Sequence, residues 1–362
     1  MGVVQLKQMR MRKGRAALYV GAALIGCTAT GAAPAQGQQA PARLTQFLRQ
    51  SIGLDSAQLI AVESGKPVVK VLETQNKRDV AVFGIITADV PRAFYVVRTR
   101  DFQNSLRAPT RNRFGIFSKP ATLADVQDVT IDSEDVADVR RCHPGDCEIK
   151  MPATEMQRIR QQIDWSAADP GAEVNAYVRQ RMVQYITDYR AQGDAAMVVY
   201  DDLGSVRASD AFSALLAQSP YVFEYVAPLH EYLASYPHGI LDGVNEVLYW
   251  SEDALPGLKP ILNITHLSVY TPPELPTLTV MAGKQIYADH YFEAAFDLTA
   301  VVDRPISTDK QGIYLIVVRR FRFDDLPTGI FNIRGKVVGK LRDKTRTDLE
   351  REKAISERAL GH

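Results

Sequence analysis

Apolar positions recur every three or four residues from Leu44 onward. Leu44, Phe47 and Leu48, then Leu59 and Ile60, predict helices over 44–52 and 56–64, stopped by Gly53 and Gly65. β-branched runs at 67–72 and 79–89, with Val80, Val82, Ile85 and Ile86, predict strands. The stretch 98–120 is basic and reads as a loop. The period then returns to helical. A helix is expected over 154–165 behind Thr154, and a longer one over 172–192 with Val174, Tyr177, Val178, Met182, Tyr185, Ile186 and Tyr189 as an aromatic-rich stripe. Such a stripe fits plain core or a cavity wall. Helices over 209–218 and 221–236, broken by Pro220 and Pro237, complete a helical region of about 153–255.

The last third changes period. Strands are expected over 261–270, 278–288, 291–302 and 313–323. In the third, Phe292, Ala294, Phe296, Leu298, Ala300 and Val302 alternate with Glu293, Asp297, Thr299 and other residues, which predicts an antiparallel strand with one wet face. A turn at 324–328 leads into a final helix over 329–360. Its first half has Ile330, Ile333, Val337 and Leu341 on one side, and its second half is nearly all charged, so only the first half is expected to pack. The fold class is α+β: a curved antiparallel sheet with a long C-terminal helix across it and an enlarged helical middle.

The first residues change the picture of location. Lys7, Arg10, Arg12, Lys13 and Arg15 precede the short apolar run 16–26, a charged n-region and an h-region. At about 11 residues the run is too short for a bilayer, which needs roughly 20. Residues 1–35 read as a signal peptide and 36–42 as a tether to one domain over 43–360. Two cleavage readings stand: a lipobox, Leu24-Ile25-Gly26-Cys27, with Cys27 acylated and anchoring the protein to a membrane, or a small-x-small cut after Ala33-Pro34-Ala35. Either predicts export, to the periplasm or as an outer-membrane-anchored lipoprotein. Removing residues 1–35 takes Lys plus Arg from 43 to 38 against 42 Asp plus Glu, a net charge of −4. That balance argues against a nucleic-acid partner.

Beyond Cys27, only Cys142 and Cys147 remain, flanking a Pro-Gly turn, and in an oxidising compartment they are expected to form a disulfide. They lack haem spacing and a zinc ligand set. The acids Asp125, Asp128, Asp132, Glu134, Asp135 and Asp138 lack the EF-hand Gly and closing Glu, so they read as a solvated face. Six basic residues between Arg334 and Arg346 could meet anionic lipid, but Asp348, Glu350 and Glu352 balance them, favouring a solvated helix face. No serine-nucleophile elbow or phosphate loop occurs, and neither a cofactor nor a metal is expected.

The strand, the Asp325-Leu326-Pro327 turn and the apolar first turns of the last helix close an order of helix, strands, helices, antiparallel strands and long helix. This order resembles the helix-grip fold of START-type lipid-transfer and polyketide-cyclase domains, over roughly residues 66–355 and in topology only. The resemblance implies a closing helix that roofs a hydrophobic pocket, and a hydrophobic small molecule or lipid as ligand. Pocket residues are then sought among His266, Lys284, Tyr287, His290, Phe292, Phe296 and Arg319, with the 329–341 helix covering the Phe292–Phe296 face. Alternation places Lys284 and His290 on one sheet face and Tyr287 and Asp289 on the other. A rival reading is a hydrolase- or cyclase-type enzyme using His266, Asp289 and His290; a third is a structural envelope protein without a pocket.

Overall fold

The computed structural model describes residues 42–107, 111–254, 259–307, 310–324 and 333–361, and within them lie ten strands, all paired antiparallel, and ten α-helices, some expected from these patterns and some not. In chain order, α1 (Ala42–Gln46) runs on as a π turn (Phe47–Ser51), followed by α2 (Ser56–Glu63), β1 (Val68–Leu72) and β2 (Asp79–Ala88). Next come α3 (Arg92–Arg100), α4 (Phe102–Ser105), β3 (Arg111–Ile116), α5 (Ser133–Arg141), α6 (Ala153–Gln162) and α7 (Pro170–Gln192). A short hairpin of β4 (Val199–Tyr200) and β5 (Val206–Arg207) precedes α8 (Ala208–Ala217) and α9 (Pro220–Ser235). The chain finishes with β6 (Asn245–Asp253), β7 (Ile261–Tyr270), β8 (Leu278–Ala288), β9 (Phe292–Pro305), β10 (Gln311–Phe323) and α10 (Ile333–Leu360).

Eight strands form one open antiparallel sheet in the order β1-β2-β10-β9-β8-β7-β6-β3. One face carries the main core. There Phe83, Phe296, Ile316 and Val318 meet Phe212, Leu215 and Leu216 of α8, Leu229 and Leu233 of α9, and Ile186 and Tyr189 of α7. The other face is covered by α10 and α3, through Ile86, Leu315 and Val317 against Leu349 and Tyr95, and Val82, Phe292 and Phe323 against Leu341. Gly84 lets α10 come down on β2: a Cβ there would lie 2.8 Å from both Thr345 and Leu349.

Four expectations are corrected. The expected wet face of 291–302 is dry at Glu293, Ala295 and Val301, where Arg78 pairs with Glu293 and Val301 packs with Tyr95 of α3 and Leu349 of α10, while Asp297 between them stays exposed. The second half of the last helix packs after all, through Thr345, Leu349 and Ser356, and its Asp348 is buried as well, paired with Arg319 of β10. Residues 245–253, assigned to the helical region, are strand β6. The basic stretch 98–120 holds α4 and edge strand β3, whose Arg111 and Arg113 pair across the strand with Asp253 and Glu252. The signal segment, Cys27, the 36–41 part of the tether and the Asp325-Leu326-Pro327 turn lie outside the described residues. Among the described residues no helix is long and apolar enough to cross a membrane.

Candidate functional site

Helix α7 begins where sequence chemistry says it should, with Asp169 accepting from the Ala172 N–H at 2.9 Å and Pro170 in its first turn. Its apolar stripe divides. Ile186 and Tyr189 enter the main core. Val174, Tyr177, Val178 and Tyr185, with Met182 shared between core and cavity, line a cavity of about 550 Å³, bounded on its other sides by α5, α6 and the β7–β8 end of the sheet. Met151, Ile159, Met197 and Ile264 complete the apolar wall, and Glu155, Arg158 and Arg181 pair along its margin. A second apolar cavity, of about 340 Å³, lies between Phe47, Tyr221, Tyr225 and strands β8–β10.

The sheet reaches the first cavity through a bulge. Lys284 pairs with His266 and Gln285 with Thr265, but the next pair is Tyr287 with Ile264, so Ile286 has no partner on β7. An inserted residue flips the alternation that follows. Tyr287 and Asp289 consequently turn to the α7 side, where both line the cavity. The free backbone is satisfied by tyrosines: Tyr185 Oη donates to the Ile286 carbonyl at 2.6 Å, and the Ala288 N–H donates to Tyr200 Oη at 3.0 Å.

Beyond β8 the chain turns, and alternation no longer separates Asp289 from His290. Their ligand atoms and those of Asp135 lie within 4.8 Å of one another, all buried. Asp135 comes from the first turn of α5, which Asp132 caps by accepting from the Asp135 N–H at 2.8 Å. The Cys142–Cys147 disulfide follows that helix directly and leads into 148–151, which runs beside the turn. The Lys150 N–H donates to the Asp289 carbonyl at 2.8 Å, and Tyr287 Oη donates to the Lys150 carbonyl at 3.1 Å. His290 Nδ1 donates to the Glu148 carbonyl at 3.1 Å, and Nε2 faces Asp135 Oδ2 at 3.1 Å. Lys259 Nζ reaches Asp135 Oδ1 at 2.8 Å.

The electrostatics follow from this packing. Burial opposes charge on Asp135, but hydrogen bonds from His290 and Lys259 outweigh it and hold the carboxyl below its usual range. His290 also loses hydration, yet Asp135 and the nearby Asp289 raise it to about 9, so the ring carries both protons. Asp289 has no ion-pair partner among the described residues. Burial pushes it up to about 7, only partly offset by the charge on His290.

The seven sequence-chosen pocket residues scatter. Tyr287 lines the apolar cavity. Phe292 and Arg319 lie under α10 in a polar cleft of about 220 Å³, where Arg319 donates to Asp348 at 2.8 Å. Phe296 is fully buried and meets Phe212 edge-on at 5.7 Å, so α8 rather than the C-terminal helix covers it. Lys284 is fully buried, bonded to Asp194 and to the Leu233 carbonyl at 3.0 Å. His266 is enclosed by Tyr189, Tyr232 and Tyr236, with Nε2 3.0 Å from Glu246. Among the described residues it forms no cluster with His290. The acidic stretch hid one residue of the cluster: Asp135 is buried, not solvated. Its buried Val139 neighbour at i+4 was the one signal of an inward face.

What the fold defines is an α+β protein, an open antiparallel sheet with helices on both faces and a long C-terminal helix across one, compatible with a helix-grip-like arrangement. The chain matches no family model, no curated protein and no solved structure in these comparisons.

Proposed function

We propose that this is an exported binding protein that holds a hydrophobic small molecule or lipid chain in the cavity between α7 and the sheet. The observation that carries this reading is the cavity itself. Its volume of about 550 Å³ falls in the range of small-molecule sites, and its wall is mainly apolar, with charged groups such as Asp135, Glu155, Arg181 and Asp289 among the lining residues. The START-type resemblance supports the ligand class, though here the cavity faces α7 and not the closing helix. Export, with or without a lipid anchor at Cys27, draws on the charged and apolar leader and on the Cys142–Cys147 disulfide. A catalytic reading that unites His266 with Asp289 and His290 has less support, because His266 is enclosed by tyrosines in the core.

The test is uptake of N-phenyl-1-naphthylamine, whose fluorescence rises in apolar surroundings. Wild type is expected to bind it, and Val178→Trp, which plugs the cavity from α7, to weaken binding at least tenfold, a loss of about 1.4 kcal/mol. No uptake by wild type, or uptake indifferent to the plug in a folded variant, refutes the reading.

A further inference from the structure

We propose that Asp135, Asp289 and His290 form a binding site for a divalent transition-metal cation such as Zn²⁺, set in the wall of the α7 cavity. Their ligand atoms converge within 4.8 Å, and the three residues are 6%, 7% and 3% exposed. Bonds of about 2.0–2.2 Å in a tetrahedron place ligand atoms roughly 3.4 Å apart. The cluster therefore needs only a small contraction to close on a cation.

Each residue is held by one atom and presents another. The Glu148 carbonyl takes the Nδ1 proton of His290 and aims Nε2 at the carboxylates, the arrangement that outer-shell carbonyls impose on metal-binding imidazoles. Lys259 occupies Asp135 Oδ1, leaving Oδ2 turned toward His290. The Leu262 N–H donates to Asp289 Oδ1 at 2.9 Å. Asp289 is more than nine-tenths buried and lines the cavity, and beyond the Leu262 N–H its carboxylate has no ion-pair partner among the described residues. One imidazole nitrogen and two carboxylate oxygens suit Zn²⁺, Co²⁺ or Mn²⁺, and the cation takes the place of the Nε2 proton that His290 holds against Asp135, which is released to solvent on binding. Three protein ligands leave a fourth position for water or for the polar end of a molecule in the cavity. The site does not depend on the cavity's occupant, so it can fail or hold separately from the proposed function.

Full-length mature protein, dialysed against chelator, is titrated with Co²⁺ and followed by its visible ligand-field absorption, then with competing Zn²⁺. One Co²⁺ per chain is expected, displaced by Zn²⁺. Asp289→Asn and His290→Gln should each weaken binding at least tenfold, while His143→Ala, on an exposed loop, leaves it unchanged. Absence of stoichiometric uptake by wild type overturns the proposal and leaves a buried ion-pair cluster. So does uptake that survives both substitutions. Should a variant fail to fold, imidazole ¹⁵N NMR of wild type decides: the His290 Nε2 signal must move on Zn²⁺ addition, and an unmoved signal overturns the site.

Discussion

Phe296→Ala separates core from cavity. The ring is fully buried on the α8 side of β9, with Phe212 edge-on at 5.7 Å and an interplanar angle of 88°, and it lines neither apolar cavity. Truncation removes a whole ring from a packed environment that cannot collapse, since the sheet fixes one side and α8 the other. Substitutions of this kind cost roughly 3–5 kcal/mol, part of it from the lost edge-to-face contact. With a urea slope of about 3 kcal/mol/M, the midpoint should fall by roughly 1–1.7 M. Equilibrium unfolding followed by far-UV circular dichroism gives midpoint and slope together. Uptake of N-phenyl-1-naphthylamine by the folded variant should stay at the wild-type level. A stability loss under about 1.5 kcal/mol at unchanged slope would refute tight seating of α8 on β9. A folded variant that loses probe binding would return Phe296 to a ligand wall and refute the assignment of the cavity to α7.

The Cys142–Cys147 disulfide closes a six-residue loop, which by chain entropy contributes about 2 kcal/mol; intact mass must rise by two hydrogen atoms on reduction, and free thiols in unreduced protein would refute it. Glu246 is held well below its usual range, mainly by the hydrogen bond from His266, so its contribution is complete above about pH 4.5 and is lost on acidification below that. Glu246→Gln should therefore cost about 2 kcal/mol at pH 7, and the gap from wild type should shrink toward pH 3; urea midpoints that keep a constant gap refute the coupling.

Much of the fold was legible because period survives local noise. The stripe of α7, the four late strands and the switch to a long final helix are all one-dimensional patterns with a physical cause. Coverage was not legible in the same way. Whether a strand's second face is wet depends on what another element brings to it. In α10 the packing residues Thr345, Leu349 and Ser356 are small or isolated among charges, so an apolar count misses them. The same limit misplaced Phe296: alternation gave it a dry face, and proximity in sequence suggested 329–341 as the cover, whereas α8 covers it from the middle of the chain.

The site was harder still, because one unpaired residue decides it. Without the bulge at Ile286, Tyr287 and Asp289 would face α10 and the cavity wall would lose both. Nothing in the composition of 284–290 announces an insertion; its anchors, Tyr185 and Tyr200, lie about a hundred residues away. Asp135 lies farther off still and read as one acid among six, and the disulfide explains how it is brought in. The clip ties the end of α5 to the 148–151 segment, and that segment bonds the turn at 289–290 through both Glu148 and Lys150. A cysteine pair that looked like a loop staple thus joins the two chain segments that bring Asp135 and His290 together. On this geometry, reduction of the disulfide should loosen the Asp135–His290 contact before it disturbs the main core, which contains neither cysteine.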